Sequence, residues 1–175
     1  MRAFRLCRNT YPAYGAEGAR RVGGRWNCKG TPVLYMSENR SLAVLEILVH
    51  LSSALPDKSV LAAADIPDDI PTQKVDAYDL PENWATLDPR DQLATKQIGD
   101  EWVELRKSAI LAVPSVIVGE LNYLLNPAHP DFGRIAFAEA CPLPLRCPTQ
   151  LAKSIDGDRR GKTARRLDLI PRCLN

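Results

Sequence analysis

Hydrophobic positions change period several times along the chain, and each change predicts an element. Ala3 to Cys7 alternates, with Phe4 and Leu6 facing one way and Arg5 the other, the pattern of a half-buried strand. Tyr11 to Gly24 carries four glycines and reads as a loop. Pro32-Val33-Leu34-Tyr35-Met36 predicts a short strand with Val33 and Tyr35 on one face, followed by a polar turn from Ser37 to Arg40. A helix is expected over Ser41 to Ser52, with Ser41 as its N-cap and Leu42, Leu45, Leu48 and Val49 as its apolar stripe. Val60 to Ile66 predicts a strand closed by Pro67, and Pro67 to Pro89, rich in Pro and Asp, reads as irregular. Asp88 to Lys107 places Leu93, Ile98, Trp102 and Leu105 at roughly helical spacing. Ile110 to Val118 reads as a strand pair or one bent strand broken at Pro114-Ser115, and Ile135 to Phe137 as the final strand. Many short strands with two helices predict an α+β fold in a single compact domain. No G-x-G-x-x-G follows a strand and no G-x-x-x-x-G-K-[ST] occurs, which sets aside Rossmann and P-loop chemistry.

Composition narrows the class. The chain has 175 residues, 45% of them hydrophobic and 25% charged, ordinary for one globular domain with a real core. No apolar run approaches a membrane span and no signal peptide is visible, so a cytoplasmic location is the default expectation. The five cysteines are odd in number and form no C-x-x-C pair, which argues against a disulfide framework and a zinc site; with only two histidines, no catalytic metal is expected. The net charge of +2 hides an asymmetry. From Arg146 onward there are eight Lys/Arg against three Asp/Glu, whereas the preceding residues carry 15 against 18. A basic tail suits nucleic acid or an acidic partner, or is simply a solvated end.

Three residues stand out in order: Arg25 in G-G-R-W-N, Tyr35 ten residues later, and Glu46 eleven after that. Glu46 sits in Leu42-Ala43-Val44-Leu45-Glu46-Ile47-Leu48-Val49, a run apolar enough to be buried over most of a helix. A buried carboxylate needs a partner. It either serves chemistry, pairs with His50 at i,i+4, or lies on an exposed strip. Arg25 follows two glycines, which allow close backbone approach, and its guanidinium is either an anion fork or a surface-turn side chain. Tyr35 either stacks on a planar ring or packs in the core. Arg5 is either solvated or aimed into a cleft. Ser115 is a hydrogen-bond donor or a strand bend, without the G-x-S-x-G of a hydrolase nucleophile. Trp26 suits the core, and Asn126 before Pro127 a turn.

The order of motifs resembles the RES domain. The resemblance is carried by Gly15-Ala16-Glu17-Gly18-Ala19-Arg20-Arg21-Val22-Gly23-Gly24-Arg25-Trp26-Asn27, then V-L-Y-M-S-E, the L-A-V-L-E-I-L-V-H helix, V-P-S, and N-x-L-L-N-P-x-H-P-D-F. It covers about Phe4 to Phe137. The Arg, Glu and Ser of the family's name match Arg25, Glu46 and Ser115. After Glu139 the chain departs from the family pattern, so a RES domain is expected over 1–140 and a divergent basic tail over 141–175.

The resemblance implies a toxin of a bacterial RES–Xre toxin–antitoxin pair, with a fold similar to diphtheria-type ADP-ribosyltransferases. It implies NAD⁺ as substrate, cleaved at the nicotinamide–ribose bond, with ADP-ribose passing to a target protein or to water or phosphate. Glu46, Arg25 and Tyr35 map onto the catalytic positions. Arg5, Arg25, Trp26, Asn27, Tyr35 and Ser115 are then candidates for NAD⁺ binding, with Tyr35 stacking on nicotinamide and Ser115 bonding the nicotinamide or ribose side. An Xre-like antitoxin with a DNA-binding domain, a protein target and a homodimer within the larger complex are the implied partners, with no membrane. The competing readings are a nucleotide-binding module without turnover and a nucleic-acid binder using the tail, which lacks interleaved aromatics after Phe137.

Overall fold

A computed structural model describes residues 1–49, 58–86 and 88–143. Its elements in chain order are β1 (Arg2–Arg8), α1 (Glu17–Val22), β2 (Leu34–Ser37), α2 (Arg40–Leu48), β3 (Ser59–Asp65), β4 (Thr72–Lys74), α3 (Leu93–Leu105), β5 (Ile110–Pro114), β6 (Leu121–Leu125), β7 (Ala136–Phe137) and β8 (Cys141–Pro142). The strands form one sheet in the order β4-β5-β6-β2-β1-β3-β7, with β8 also paired to β3. Only β4 and β5 run parallel; the remaining described pairs are antiparallel.

The centre of the sheet is buried on both faces, which explains the unbroken apolar run of β5. Ile110 pairs with Leu125 and both point into one cluster with Leu34, Met36 and Ala3. One residue along, Leu111 pairs with Leu124 and both point into the other, where Trp102 and Val103 of α3 cover the sheet with Trp26. Trp102 donates its indole N–H to the buried Ser108 hydroxyl at 2.9 Å.

The sheet opens at one seam. β1 pairs with β3 over seven positions, from Arg2↔Asp65 to Arg8↔Ser59, but with β2 at Phe4↔Ser37 alone. Beyond that rung β1 and β2 part, and α2 packs beside the gap. This seam is where the candidate site lies.

Several expectations change. Tyr11–Gly24 contains α1, whose Glu17 pairs with Arg20 and Arg21. The N-cap of α2 is Asn39, whose side chain accepts from the Leu42 N–H at 2.9 Å, so the helix starts one residue before Ser41. The expected C-terminal part of that helix, His50 to Ser52, lies outside the described residues. The apolar stripe is not a buried one: Leu42 and Ala43 are buried, whereas Leu48 and Val49 are exposed. The same happens in α3, where Leu93 and Leu105 are exposed and Thr95, Gly99, Trp102 and Val103 are buried. A short 3-10 turn, Pro89–Gln92, leads into α3. β4 adds a strand within the stretch expected to be irregular. Pro114-Ser115 neither bends nor splits a strand; it ends β5, and the chain returns antiparallel as β6. β7 is followed by β8, which carries the sheet past residue 140. Cys7 and Cys28 are free thiols, and Cys141 is disulfide-bonded. No helix among the described residues is long and apolar enough to cross a membrane.

Candidate active site

Side chains from distant parts of the chain converge on Glu46. Its Oε1 accepts from the Asn122 amide at 2.6 Å and from the Ser115 hydroxyl at 3.0 Å. The Ser37 hydroxyl donates to Asn122 Oδ1 at 2.8 Å. Sheet register explains the convergence. Asn122 stands opposite Ser37 on one side and Val113 on the other. Ser115 follows Val113 by two residues, so the strand period returns its side chain to the same face. Ser37, Asn122 and Ser115 therefore present polar groups on one face, and α2 brings Glu46 to meet them. No hydrogen bond from a described residue reaches Glu46 Oε2. The expected Glu46–His50 pair lies outside the described residues.

Two cavities meet at this carboxylate. The larger, ≈ 980 Å³, has Gly23, Gly24, Arg25 and Trp26 on one wall and Pro114, Val116 and Ile117 on another. The smaller, ≈ 380 Å³, is walled by Phe4, Leu6, Cys7, Tyr11, Met36 and Ile47. Arg5, Tyr35, Glu46 and Asn122 line both. The structure thus brings Arg5, Arg25, Tyr35 and Glu46 together around one cleft.

The Gly23–Asn27 loop forms the rigid wall. Asn27 is fully buried; its amide nitrogen lies 3.0 Å from the carbonyls of Ala19, Cys28 and Thr31, and its Oδ1 accepts from the Tyr35 hydroxyl at 2.7 Å. That hydroxyl in turn accepts from the Trp26 N–H at 3.1 Å. Gly23 has φ 77°, a left-handed value that favours glycine, and a Cβ on Gly24 would stand 2.6 Å from the Tyr35 hydroxyl. The glycines thus let the loop close on Tyr35. Trp26 is buried in the α3-side cluster, its ring centroid 6.4 Å from that of Trp84. The Trp26 carbonyl rests on Gly99 of α3, where a Cβ would come within 1.7 Å of it. Thr95 closes the arrangement by donating to the Arg25 carbonyl at 2.8 Å.

Arg25 points from this loop across the cleft mouth. Its Nη1 donates to the Trp84 carbonyl at 2.7 Å and its Nη2 to the Thr86 carbonyl at 2.9 Å. Burial lowers its pKa, and the Glu46 charge opposes that shift. Arg5, more deeply buried, donates to the Gly15 carbonyl at 3.0 Å, and burial likewise lowers its pKa. Burial pushes the Tyr35 phenol well above its ordinary value, so it stays protonated at neutral pH.

Not every candidate faces the cleft in the expected way. Asn27 lies beneath the wall, with its amide committed to the backbone. The Ser115 hydroxyl, in a residue only 7% exposed, is committed to Glu46 and accepts from the Ile117 N–H at 3.2 Å. Asn126 starts a turn, as read from the sequence: its carbonyl accepts from the His129 N–H and its side chain from the Ala128 N–H, although it is buried. Asn122 and Ser37 were not singled out from the sequence. The available signal was one amide inside the apolar strand Leu121-Asn122-Tyr123-Leu124-Leu125. No group of three or more His, Cys, Asp or Glu side chains among the described residues is placed to hold a metal ion.

The RES domain family model matches residues 2–146. The chain belongs to the RES domain family. Its RES relatives include the "Toxin Res" of Photorhabdus laumondii, 40% identical over 138 residues, covering 75% of this chain and 85% of that protein. The "Prs ADP-ribosylating toxin" of a Sphingobium species is 39% identical over 128 residues, covering 70% of this chain and 78% of its own. The fold is similar to that of a toxin in the M. tuberculosis MbcT–MbcA toxin–antitoxin complex, with a TM-score of 0.66 and 19% identity over 82% of this chain and 84% of that one. Within the matched range, Arg25 is the cavity-wall guanidinium, Glu46 the carboxylate and Ser115 one of its two donors.

Proposed function

We propose that this chain is the toxin of a bacterial toxin–antitoxin pair and consumes NAD⁺ by cleaving its nicotinamide–ribose bond. The observation that carries this reading is the placement of Glu46 at the junction of two cavities, with Arg5 and Tyr35 beside it and Arg25 along the larger wall. The larger cavity is at the upper end of the roughly 300–1,000 Å³ usual for ligand sites, enough for a dinucleotide. The names of the relatives support the toxin role, and the Sphingobium relative's name favours ADP-ribosylation.

The chemistry follows from the side chains. The bond from ribose C1′ to the nicotinamide nitrogen breaks, and its electron pair returns to the cationic ring. Nicotinamide leaves neutral, so no strong general acid is needed, which suits a site whose phenol stays protonated. The ribose becomes oxocarbenium-like, as in glycoside cleavage. Glu46 lies where its negative charge stabilises that cation and orients the acceptor, whose lone pair then bonds to C1′ as its proton passes to the Glu46 carboxylate and on to solvent. Arg25 and Arg5 direct the unused faces of their guanidinium groups toward pyrophosphate and ribose oxygens. Tyr35 offers its ring for stacking on nicotinamide, held by its bonds to the loop. Trp26 and Asn27 serve by fixing the wall, and Ser115 by holding Glu46.

The acceptor is a protein side chain, water or phosphate. An Xre-like antitoxin with a DNA-binding domain is the proposed neutralising partner, in a complex built on a toxin homodimer in the cytoplasm. Incubation with NAD⁺ labelled in its adenosine half tests both levels of the reading. Nicotinamide release supports NAD⁺ cleavage. Label on a protein band identifies transfer, and label in ADP-ribose or its phosphate identifies breakdown. Absence of nicotinamide release, with and without a cell extract as acceptor source, rejects the enzyme in favour of a nucleotide-binding module.

A further inference from the structure

We infer that Ser37 and Asn122 form a relay that fixes the polarity of the site, which makes Asn122 a positioning residue for Glu46; the inference rests on the reading of Glu46 given above. A carboxylate can only accept hydrogen bonds. At 2.6 Å from Glu46 Oε1, the Asn122 side chain must therefore present its NH₂ group to the carboxylate. Its carbonyl oxygen is then turned the other way, onto Ser37, whose hydroxyl donates to it at 2.8 Å. Ser37 is 4% exposed, at the edge of the smaller cavity, and stands opposite Asn122 in the β2–β6 register. The carboxylate thus fixes the amide's orientation, because flipping it would set its oxygen against an acceptor-only group, and Ser37 holds the other end.

The relay has a purpose that packing alone does not supply. Asn122 lines both cavities, while Ser115 approaches Glu46 from outside the described cavity linings. Two donors on Oε1 fix the carboxylate from two directions and leave Oε2 for substrate. Asn122 is the cavity-facing one of the two, so it sets the angle at which Glu46 meets the ribose. Ser37 acts one step further back, through Asn122.

Asn122→Asp separates this role from a structural one. It keeps the shape and replaces the donor by a second carboxylate beside Glu46. Two carboxylates at that distance repel, which raises the pKa of the pair, and the proton they take up and share as pH falls restores the missing donor. Nicotinamide release by this variant is expected to fall on the order of 100-fold at pH 8 and to recover as pH is lowered toward 5. Asn122→Ala is expected to lose about tenfold to 100-fold at every pH, and Ser37→Ala about tenfold, with KM for NAD⁺ changed far less than kcat. The double variant is expected to be no slower than Asn122→Ala, because the two residues act as one unit. An Asn122→Asp profile parallel to that of the unaltered protein, or additive losses in the double variant, overturns the relay. A second readout needs no turnover. The Asn122 side-chain amide resonance in ¹⁵N NMR is expected to shift in both Ser37→Ala and Glu46→Gln. An amide resonance that ignores both changes overturns the relay even if NAD⁺ is cleaved. Absence of turnover in unaltered protein with the resonance shifts present sinks the enzymatic reading and leaves the relay standing.

Discussion

Asn122 lines the cleft and Asn27 lies beneath its wall, and the two are held in opposite ways. Asn27 bonds to carbonyls of Ala19, Cys28 and Thr31 and to Tyr35, all within eight residues of it in sequence. Asn122 bonds to Glu46 and Ser37, separated from it by 76 and 85 residues. The first builds a wall from local backbone. The second assembles a charged centre from three elements that meet only in the folded sheet. Substitutions at the wall's anchors are therefore expected to cost stability, and substitutions at the carboxylate centre to cost activity with the fold kept.

The sharpest division between the two regions comes from Glu46→Gln. It keeps the side chain's size and removes its charge, and turnover is expected to fall on the order of 10³-fold. Glu46→Ala is expected to abolish NAD⁺ consumption and toxicity with the fold intact, which circular dichroism and growth assays check. Gly99→Ala attacks the wall instead. Its Cβ would meet a backbone carbonyl, which cannot swing aside as a side chain would, so a loss of about 3 kcal/mol is expected in denaturant unfolding. If Glu46→Gln were to unfold the protein, or Gly99→Ala were silent, the contrast would be wrong.

Arg25→Lys lies between the two. A lysine cannot reproduce the forked grip on the Trp84 and Thr86 carbonyls, so KM for NAD⁺ is expected to rise about tenfold with a smaller change in kcat. Tyr35→Phe keeps the ring and removes the hydroxyl that bridges Asn27 and Trp26, an expected cost of about 1–2 kcal/mol in stability. Glu17→Gln is expected to do least, since its pairs with Arg20 and Arg21 are exposed. Those arginines hold the Glu17 carboxyl down at about 2. A depressed carboxyl stabilises the fold above its unfolded value and loses that contribution as pH falls toward 2. The small difference in melting temperature between Glu17→Gln and the unaltered protein should thus shrink across the acid range and vanish below it.

The contrast also explains what was legible beforehand. The wall is written in neighbouring residues: glycines beside Arg25, then Trp26 and Asn27, so the string itself marks it. Glu46 was legible because a carboxylate in an apolar helix demands a partner. Its partners were not, because strand register decides them. Asn122 reaches Glu46 only because it stands opposite Ser37 and two strands away from β1. The helix stripes misled for a related reason. Leu48, Val49, Leu93 and Leu105 follow helical spacing yet are exposed, since the direction from which a helix is covered is set by the sheet rather than by the helix. The family resemblance pointed to Arg5, Arg25, Tyr35 and Glu46, and the structure adds Asn122 and Ser37 and how each is held.

The most direct test is a crystal structure of the Glu46→Gln variant with NAD⁺, in which slow turnover preserves the dinucleotide. The account predicts the nicotinamide ribose at the junction of the two cavities, its C1′ beside the side chain of residue 46, with the pyrophosphate toward Arg25 and the nicotinamide against Tyr35. A dinucleotide bound with its nicotinamide ribose turned away from residue 46, or seated outside this cleft, would contradict it.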